Sequence, residues 1–275
     1  MEQKYILKVK NLKKYYPIKS KFLFREKKYQ KSVDDVSFKI KKGSIVGLVG
    51  ESGCGKSTLS KCILNLIDAT GGRVEFEDKV IYDIENNISI SKKEMLNLRK
   101  DMQIIFQDPY SSLDPKMSIG KIILEGIKKH NDISTTDAYL MAEKALEACG
   151  LDKSYINRYP NEFSGGQRQR IAIARVLALK PKFIICDEPT AALDVSIQSQ
   201  ILNLMLDLKE QYNLTYLFIS HNLNVVRCFC DEIIVMNNGK IVEQGNSQSI
   251  YTNPKNEYTK KLIDSIPKSN PRLRK

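Results

Sequence analysis

Nine residues, Gly50-Glu51-Ser52-Gly53-Cys54-Gly55-Lys56-Ser57-Thr58, lie between an apolar run (Ile45, Val46, Leu48, Val49) and a segment with helical spacing of apolar residues (Leu59, Cys62, Ile63, Leu66). The pattern demands a strand, a glycine loop and a helix in direct succession. Glycines let the backbone curl until consecutive N–H groups point inward, and the helix start adds unpaired N–H groups and a partial positive charge. Such a nest fits a triphosphate: Lys56 can reach the β- and γ-phosphates, and the Ser57 hydroxyl can ligate Mg²⁺. A plain glycine turn is the alternative, and the flanking strand and helix weigh against it.

With 275 residues, 42% of them hydrophobic, the chain can bury one large core, or one core and a small subdomain. No apolar run approaches the ~18 residues of a membrane span. Lys4, Lys8, Lys10, Lys13 and Lys14 leave no apolar stretch for a signal peptide, so the chain is expected to stay in the cytosol. Six cysteines (Cys54, Cys62, Cys149, Cys186, Cys228, Cys230) show no CxxC pairing, and with only His130 and His221 beside them reduced thiols are expected. The net charge of +12 suggests a nucleic-acid binder until it is divided: residues 1–42 carry +10, residues 254–275 carry +5 and the rest −3. A basic groove across the core is therefore not indicated. Solvated lysine faces account for the excess, and attraction to an anionic inner leaflet is the next reading.

The opening of the chain reads as β-rich. A strand-like segment begins at Ile6, Leu7 and Val9 and is expected to stop at Pro17, with an irregular lysine-rich stretch to Lys31. A second strand then carries Val36, Phe38 and Ile40 on one face. Tyr16 could lie flat on an adenine ring or simply pack. Short strands follow around Val74–Phe76 and Val80–Tyr82, then a polar helix from Lys92 to Lys100. Met102, Ile104 and Phe106 alternate into Gln107, which stands where a strand gives way to a loop and could approach Mg²⁺ or an attacking water, or be an ordinary loop residue. From Ile119 to Leu151 the pattern is helical, clearest over Thr135–Cys149 with Gly150 as its C-cap. This block reads as an insertion between α/β halves.

Ser164-Gly165-Gly166-Gln167-Arg168 opens an amphipathic helix (Ile171, Ala174, Val176, Ala178). Ser164 suits an N-cap, but two glycines weaken a helix start with no evident packing gain, so either open N–H groups for a second anion or a flexible turn is indicated. The apolar strand Phe183–Cys186 delivers Asp187 and Glu188 to its carboxyl end, where ligands of open α/β sheets bind. Asp187 could hold Mg²⁺ through water and Glu188 could polarise the water that attacks a γ-phosphate. A long helix follows with Ile197, Ile201, Leu204, Met205 and Leu208 on one face. Leu214–Ile219 is another apolar strand, ending in Ser220-His221, a histidine that could sense the γ-phosphate or cap the next segment. Ile233–Met236 and Ile241–Val242 flank Asn238-Gly239, a hairpin signal. An amphipathic segment with Tyr258, Leu262, Ile263 and Ile266 ends the chain between Pro254 and Pro267. Cys54, beside a helix N-terminus, is expected either to favour the thiolate, so that a thiol reagent would inactivate the protein and bound nucleotide would protect it, or to be a bystander.

The order and spacing of these pieces resemble the nucleotide-binding subunit of ABC transporters over about residues 5–265. Gly50–Thr58 resembles its Walker A loop, Gln107 its Q-loop, Ser164-Gly165-Gly166-Gln167 its signature, Phe183–Glu188 its Walker B strand with the catalytic glutamate, Ala191–Asp194 its D-loop and His221 its switch histidine. Tyr16 is similar in position to the family's adenine-stacking aromatic. Ile105-Phe106-Gln107-Asp108-Pro109-Tyr110-Ser111-Ser112-Leu113-Asp114-Pro115, together with Glu162-Phe163, Leu193–Gln198, Tyr258-Thr259 and Ile266-Pro267, resembles the oligopeptide/dipeptide importer branch in particular. Ala191 departs from that branch's usual serine. No cysteine follows Cys230, where many relatives carry an iron–sulfur extension, so no cluster is expected.

The resemblance implies an α/β fold: a P-loop NTPase (RecA-like) core with an N-terminal antiparallel β subdomain and an inserted helical subdomain. The expected division is 1–112 (core, first part), 113–165 (helical subdomain), 166–248 (core, second part) and 249–275 (C-terminal extension). It also implies MgATP hydrolysis by Glu188, His221 and Gln107 across a dimer. Nucleotide would be held by Tyr16, Gly50, Ser52, Gly53, Cys54, Gly55, Lys56, Ser57 and Thr58, and by Ser164, Gly165, Gly166 and Gln167 of the second subunit, with Mg²⁺ on Ser57, Gln107 and Asp187. The implied partners are two transmembrane permease subunits, a second and different ATPase chain, and indirectly an extracellular solute-binding protein, at the cytoplasmic face of the membrane, with no nucleic acid. Import of peptides leads, with nickel or metallophore complexes as the alternative cargo. A soluble ABC-type ATPase acting on nucleic acid or ribosomes is the reading from another class, but neither the long coiled coil of DNA-repair members nor a fused second half is present. A non-hydrolysing regulatory subunit is disfavoured by Glu188 and His221.

Overall fold

The computed structural model describes residues 4–18 and 28–265; most of the lysine-rich segment and the Ile266-Pro267 part of the tail lie outside them. The chain runs β1 (Tyr5–Pro17), β2 (Tyr29–Lys41), β3 (Ile45–Val49), α1 (Lys56–Ile63), β4 (Gly71–Phe76), β5 (Lys79–Asp83) and β6 (Ile88–Ser89). It continues with α2 (Lys92–Asp101), β7 (Met102–Ile105), α3 (Pro109–Ser112), α4 (Ile119–His130), α5 (Thr135–Ala148), α6 (Gly165–Leu177), β8 (Phe183–Asp187), α7 (Val195–Tyr212) and β9 (Thr215–Ile219). The last elements are α8 (Leu223–Phe229), β10 (Glu232–Asn237), β11 (Lys240–Asn246), α9 (Ser247–Thr252) and α10 (Glu257–Asp264). The chain forms two units, residues 1–89 with 218–275 and residues 90–217, and the helical stretch 113–165 falls inside the second.

In the first unit, β2, β1, β4, β5 and β6 form an antiparallel sheet in that order. β1 ends at Pro17 as expected, its last residue pairing with Tyr29, and Ile18 donates to Lys28 O at 2.8 Å. The expectation of irregular chain up to Lys31 is corrected, because β2 already starts at Tyr29 against β1. Proline is tolerated there because it closes the strand's C-terminal end. Leu7, Val9 and Leu12 of β1 and Val36, Phe38 and Ile40 of β2 are buried. The same unit holds β3, fully buried, parallel to β10, with β11 antiparallel beyond it. Asn238 (φ 45°) and Gly239 (φ 81°) both take left-handed backbone, as the primed turn between β10 and β11 requires. Helix α8 packs so closely on β3 that a Cβ on Gly47 would stand 2.5 Å from Val226 Cγ1. Burying α1 residues such as Leu59 and Ile63 contributes about 1.5–3 kcal/mol each.

In the second unit β7 and β8 pair in parallel, and the Thr215 N–H at the start of β9 donates to Lys182 O at 3.1 Å. Phe183–Cys186 is buried throughout, as a strand covered on both faces must be. A capping box of Ser91 and Glu94 starts α2. Helix α5 ends as expected: Gly150 at φ 69° closes a Schellman turn in which the Leu151 N–H reaches Leu146 O at 3.0 Å. One expected face is corrected. Phe106 is 39% exposed, and the buried members of β7 are Met102 and Ile105, because the strand ends at Ile105 before the alternation can carry Phe106 inward. Among the described residues no helix is long and apolar enough to cross a membrane, and all six cysteines are free.

Candidate functional site

In the first unit the loop between β3 and α1 is built as the glycine spacing requires. Gly50, Gly53 and Gly55 have φ of 154°, 81° and 111°, a path that L side chains rarely follow. Gly55 is the N-cap of α1 and supplies no side-chain acceptor, so the helix starts without a side-chain cap. Lys56 is only 6% exposed. Its Nζ donates to Gly50 O (2.7 Å) and Glu51 O (2.9 Å), so the lysine folds back over its own loop. A buried ammonium held on two carbonyls beside an uncapped helix start has the charge and the open N–H groups that suit a phosphate anion.

The loop is also wedged from outside. Gly239 of the β10–β11 turn donates to Cys54 O at 2.9 Å and accepts from the Asp34 N–H at 2.8 Å. Asp34 in turn accepts a short hydrogen bond from Tyr15 and pairs with Lys31 and Lys240. A Cβ on Gly55 would stand 2.0 Å from Ser32 O, whereas one on Gly53 would meet nothing within 4 Å. Gly55→Ala is therefore expected to cost several kcal/mol, about 3 or more, and Gly53→Ala about 1–2 kcal/mol from backbone strain alone. Thermal unfolding of the two variants reads the difference, and equal or reversed losses would contradict this packing.

Cys54 corrects a sequence expectation. Its thiol is 6% exposed, and burial pushes its pKa up despite Lys56, whose Nζ is 3.9 Å away. The thiol form is favoured, so preferential labelling of a thiolate has no basis here. Tyr16 lies on β1, 38% exposed, with Lys14 Nζ 4.9 Å from its ring centroid. His221 is exposed just after β9, and the neighbouring Ser220 N–H binds Leu48 O at 3.3 Å, which fixes the strand end beside β3. A cavity of about 770 Å³ in this unit involves none of these residues. Among its lining cations Lys41 pairs with Glu232 at 2.8 Å and Arg73 with Asp83 at 3.1 Å.

The second unit gathers the remaining residues into two groups. Asp187 ends β8, and Glu188 follows at φ 49°, a left-handed conformation unusual for glutamate. Gln107 Nε2 donates to Glu188 Oε2 at 3.1 Å, bringing together two residues 81 positions apart. The turn after Glu188 is fastened by Gln198, whose Nε2 donates to Thr190 O and Leu193 O, both at 2.9 Å. At the start of α6, Ser164 and Gln167 form a capping box: the Gln167 N–H reaches Ser164 Oγ at 3.3 Å and the Ser164 N–H reaches Gln167 Oε1 at 2.9 Å. The box does not engage the N–H groups of Gly165 and Gly166. Gly166 does have a packing reason, contrary to expectation: a Cβ there would lie 2.7 Å from Ile197 Cγ2 of α7.

Sequence reasoning missed the tie between these two groups. Arg168 of α6 stacks its guanidinium 3.7 Å from the centroid of the Tyr110 ring on α3, bonds the Tyr110 hydroxyl and donates to Pro160 O at 3.0 Å. Arg175 donates to Ser112 O at 2.6 Å. The segment after Gln107 is thus clamped to the helix that Ser164 starts. No periodicity announces this.

The family described as ABC transporter matches the chain over residues 33–191, from β2 through the Asp187-Glu188 strand end. The chain belongs to the ABC transporter family. An oligopeptide transport ATP-binding protein of Bacillus subtilis, AppF, is 46% identical over 265 residues, covering 96% of this chain and 79% of that protein. Another from the same organism, OppF, is 49% identical over 242 residues, covering 88% and 78%. Among solved structures, the ATP-binding cassette MJ0796 in a dimeric post-hydrolysis state bound to ADP and Pi superposes with a TM-score of 0.74 at 29% identity, over 88% of this chain and 98% of that one. CbiO1 of Clostridium perfringens, part of the ABC transporter complex CbiONQ, gives 0.75 at 28% identity, over 91% and 92%. As a member of this family the chain is an ATP-binding, ATP-hydrolysing transporter subunit with the P-loop NTPase fold.

Proposed function

We propose that this ABC ATPase drives the import of peptides, with Gly50–Thr58 holding the phosphates of ATP and Glu188 acting as the general base. The observation that carries the cargo class is identity of 46–49% across nearly the whole chain to proteins named for oligopeptide transport. The observation that carries the chemistry is the Gln107–Glu188 pair at the end of a buried strand. Gln107 gives its N–H to the carboxylate and keeps its carbonyl oxygen as a donor to a cation. With Asp187 it supplies hard oxygen ligands, few in number, which suits Mg²⁺ because that ion retains waters and takes phosphate oxygens. Bound there, Mg²⁺ would neutralise charge developing on the phosphates.

Lys56 neutralises the β- and γ-phosphates, Tyr16 stacks on the base, and His221 contacts the γ-phosphate. Ser164, Gly165, Gly166 and Gln167 present their helix start to the nucleotide of a second ATPase subunit, a different chain of the same family. The Arg168–Tyr110 clamp transmits movement of α6 to the segment after Gln107, which faces permease subunits at the cytoplasmic side of the membrane; a solute-binding protein delivers cargo from outside. The test is uptake of a labelled oligopeptide by cells with and without the gene, in competition with unlabelled peptide and with nickel chelates. Peptide uptake is expected to be lost with the gene and restored by the intact chain. Loss confined to metal-chelate uptake would overturn the peptide assignment.

A further inference from the structure

The segment after β11 reaches the phosphate loop. The Glu51 N–H donates to the Tyr258 hydroxyl of α10 at 3.1 Å, a contact spanning 207 residues of sequence. The carbonyl of the same peptide unit, Gly50 O, accepts Lys56 Nζ at 2.7 Å. One peptide plane is therefore gripped from both sides, by the phosphate-binding lysine on its oxygen and by Tyr258 on its nitrogen. Rotation of that plane would break both bonds together.

Tyr258 can hold this position because α10 is itself anchored. Asn256 caps the helix by accepting the Tyr258 N–H at 2.9 Å. Glu243 of β11 accepts the Lys255 and Asn256 N–H groups at 2.8 and 3.0 Å. A continuous line of hydrogen bonds thus runs from β11 through the helix start and the tyrosine hydroxyl to the loop. The tyrosine is half-buried, and burial holds its pKa above the ordinary value, so the hydroxyl stays protonated and neutral near pH 7.

We propose that Tyr258 is a positioning residue for ATP binding: it fixes the peptide between Gly50 and Glu51 and so sets the place from which Lys56 meets the phosphates. This rests on the nucleotide reading of the loop. Because Tyr258 acts on Lys56 and not on Glu188, its loss weakens nucleotide binding and leaves the chemical step alone. In the assembled transporter, Tyr258→Phe is expected to raise KM for ATP about five- to tenfold with kcat within about twofold. The dissociation constant of the full-length ATPase for ATP should rise by the same factor while its Tm barely moves. Glu243→Ala, which releases the helix start, should raise KM in the same direction. Lys260→Ala, which removes an exposed pair with Glu257 on the same helix and leaves the Glu243 hydrogen bonds to the helix start in place, should not. An unchanged KM in Tyr258→Phe, or a fall in kcat at unchanged KM, would overturn the proposal. Failure of the wild-type chain to bind ATP would overturn the nucleotide reading beneath it.

Discussion

Glu188→Gln is expected to lower ATP turnover by roughly 10²–10⁴-fold while leaving nucleotide affinity within about threefold of the parent. The substitution keeps the side chain's length and shape. An amide oxygen at position 188 can still accept the bond that Gln107 Nε2 now makes at 3.1 Å, so the local geometry survives. What is lost is the negative charge and the capacity to take a proton from water. Glu188 sits at φ 49°, where a glycine or asparagine would be at ease, and holding glutamate there costs on the order of 1–2 kcal/mol. The Ala191 N–H on Glu188 O (3.1 Å) and the Gln198 amide on the following turn hold the strained conformation in place. Phosphate release and ATP titration on the same preparation separate the two effects. Turnover within tenfold of the parent would remove Glu188 from the base role and move attention to His221.

How much of this was readable beforehand depends on whether the signal was local. The phosphate loop, the Asn238-Gly239 hairpin and the buried strand leading to Asp187 each carry their cause within ten residues: positive φ demands glycine or asparagine, and a strand covered on both faces demands an unbroken apolar run. Their placement followed directly. What escaped was set by partners distant in sequence. The close approach of Gly166 to Ile197 turned an apparently costly glycine into a packing requirement, and the burial of Cys54 outweighed the helix start that favours a thiolate. The end of β1 at Pro17 is legible because the missing N–H is local, whereas the start of β2 at Tyr29, inside the stretch expected to be irregular to Lys31, depends on pairing with β1. The amphipathic pattern of the last helix was visible, but nothing in it says that Tyr258 meets Glu51. Arg168 on Tyr110 is of the same kind: one residue type in a motif, its partner 58 positions earlier.

Lys56→Ala should abolish the response to ATP and, less obviously, weaken the protein without nucleotide. The first effect follows from charge, since the ammonium is the loop's only fixed cation, and affinity is expected to fall at least about a hundredfold. The second follows from its partners. Lys56 Nζ satisfies Gly50 O and Glu51 O inside a loop where its own side chain is almost fully buried, and truncation leaves both carbonyls short of a donor. A loss of about 1–3 kcal/mol is expected, which for a chain of this size lowers Tm by several degrees. Lys56→Arg keeps the charge, but a planar guanidinium cannot replace a compact ammonium between two carbonyls, so the stability loss should persist while part of the affinity returns. Thermal unfolding with and without MgATP distinguishes the contributions. The parent gains stability as RT ln(1 + [L]/Kd), and Lys56→Ala gains none over the same range. If the Tm of nucleotide-free Lys56→Ala matched that of the parent, the lysine would not be bearing on the loop carbonyls, and the two-sided grip on the Gly50–Glu51 peptide would lose one of its sides.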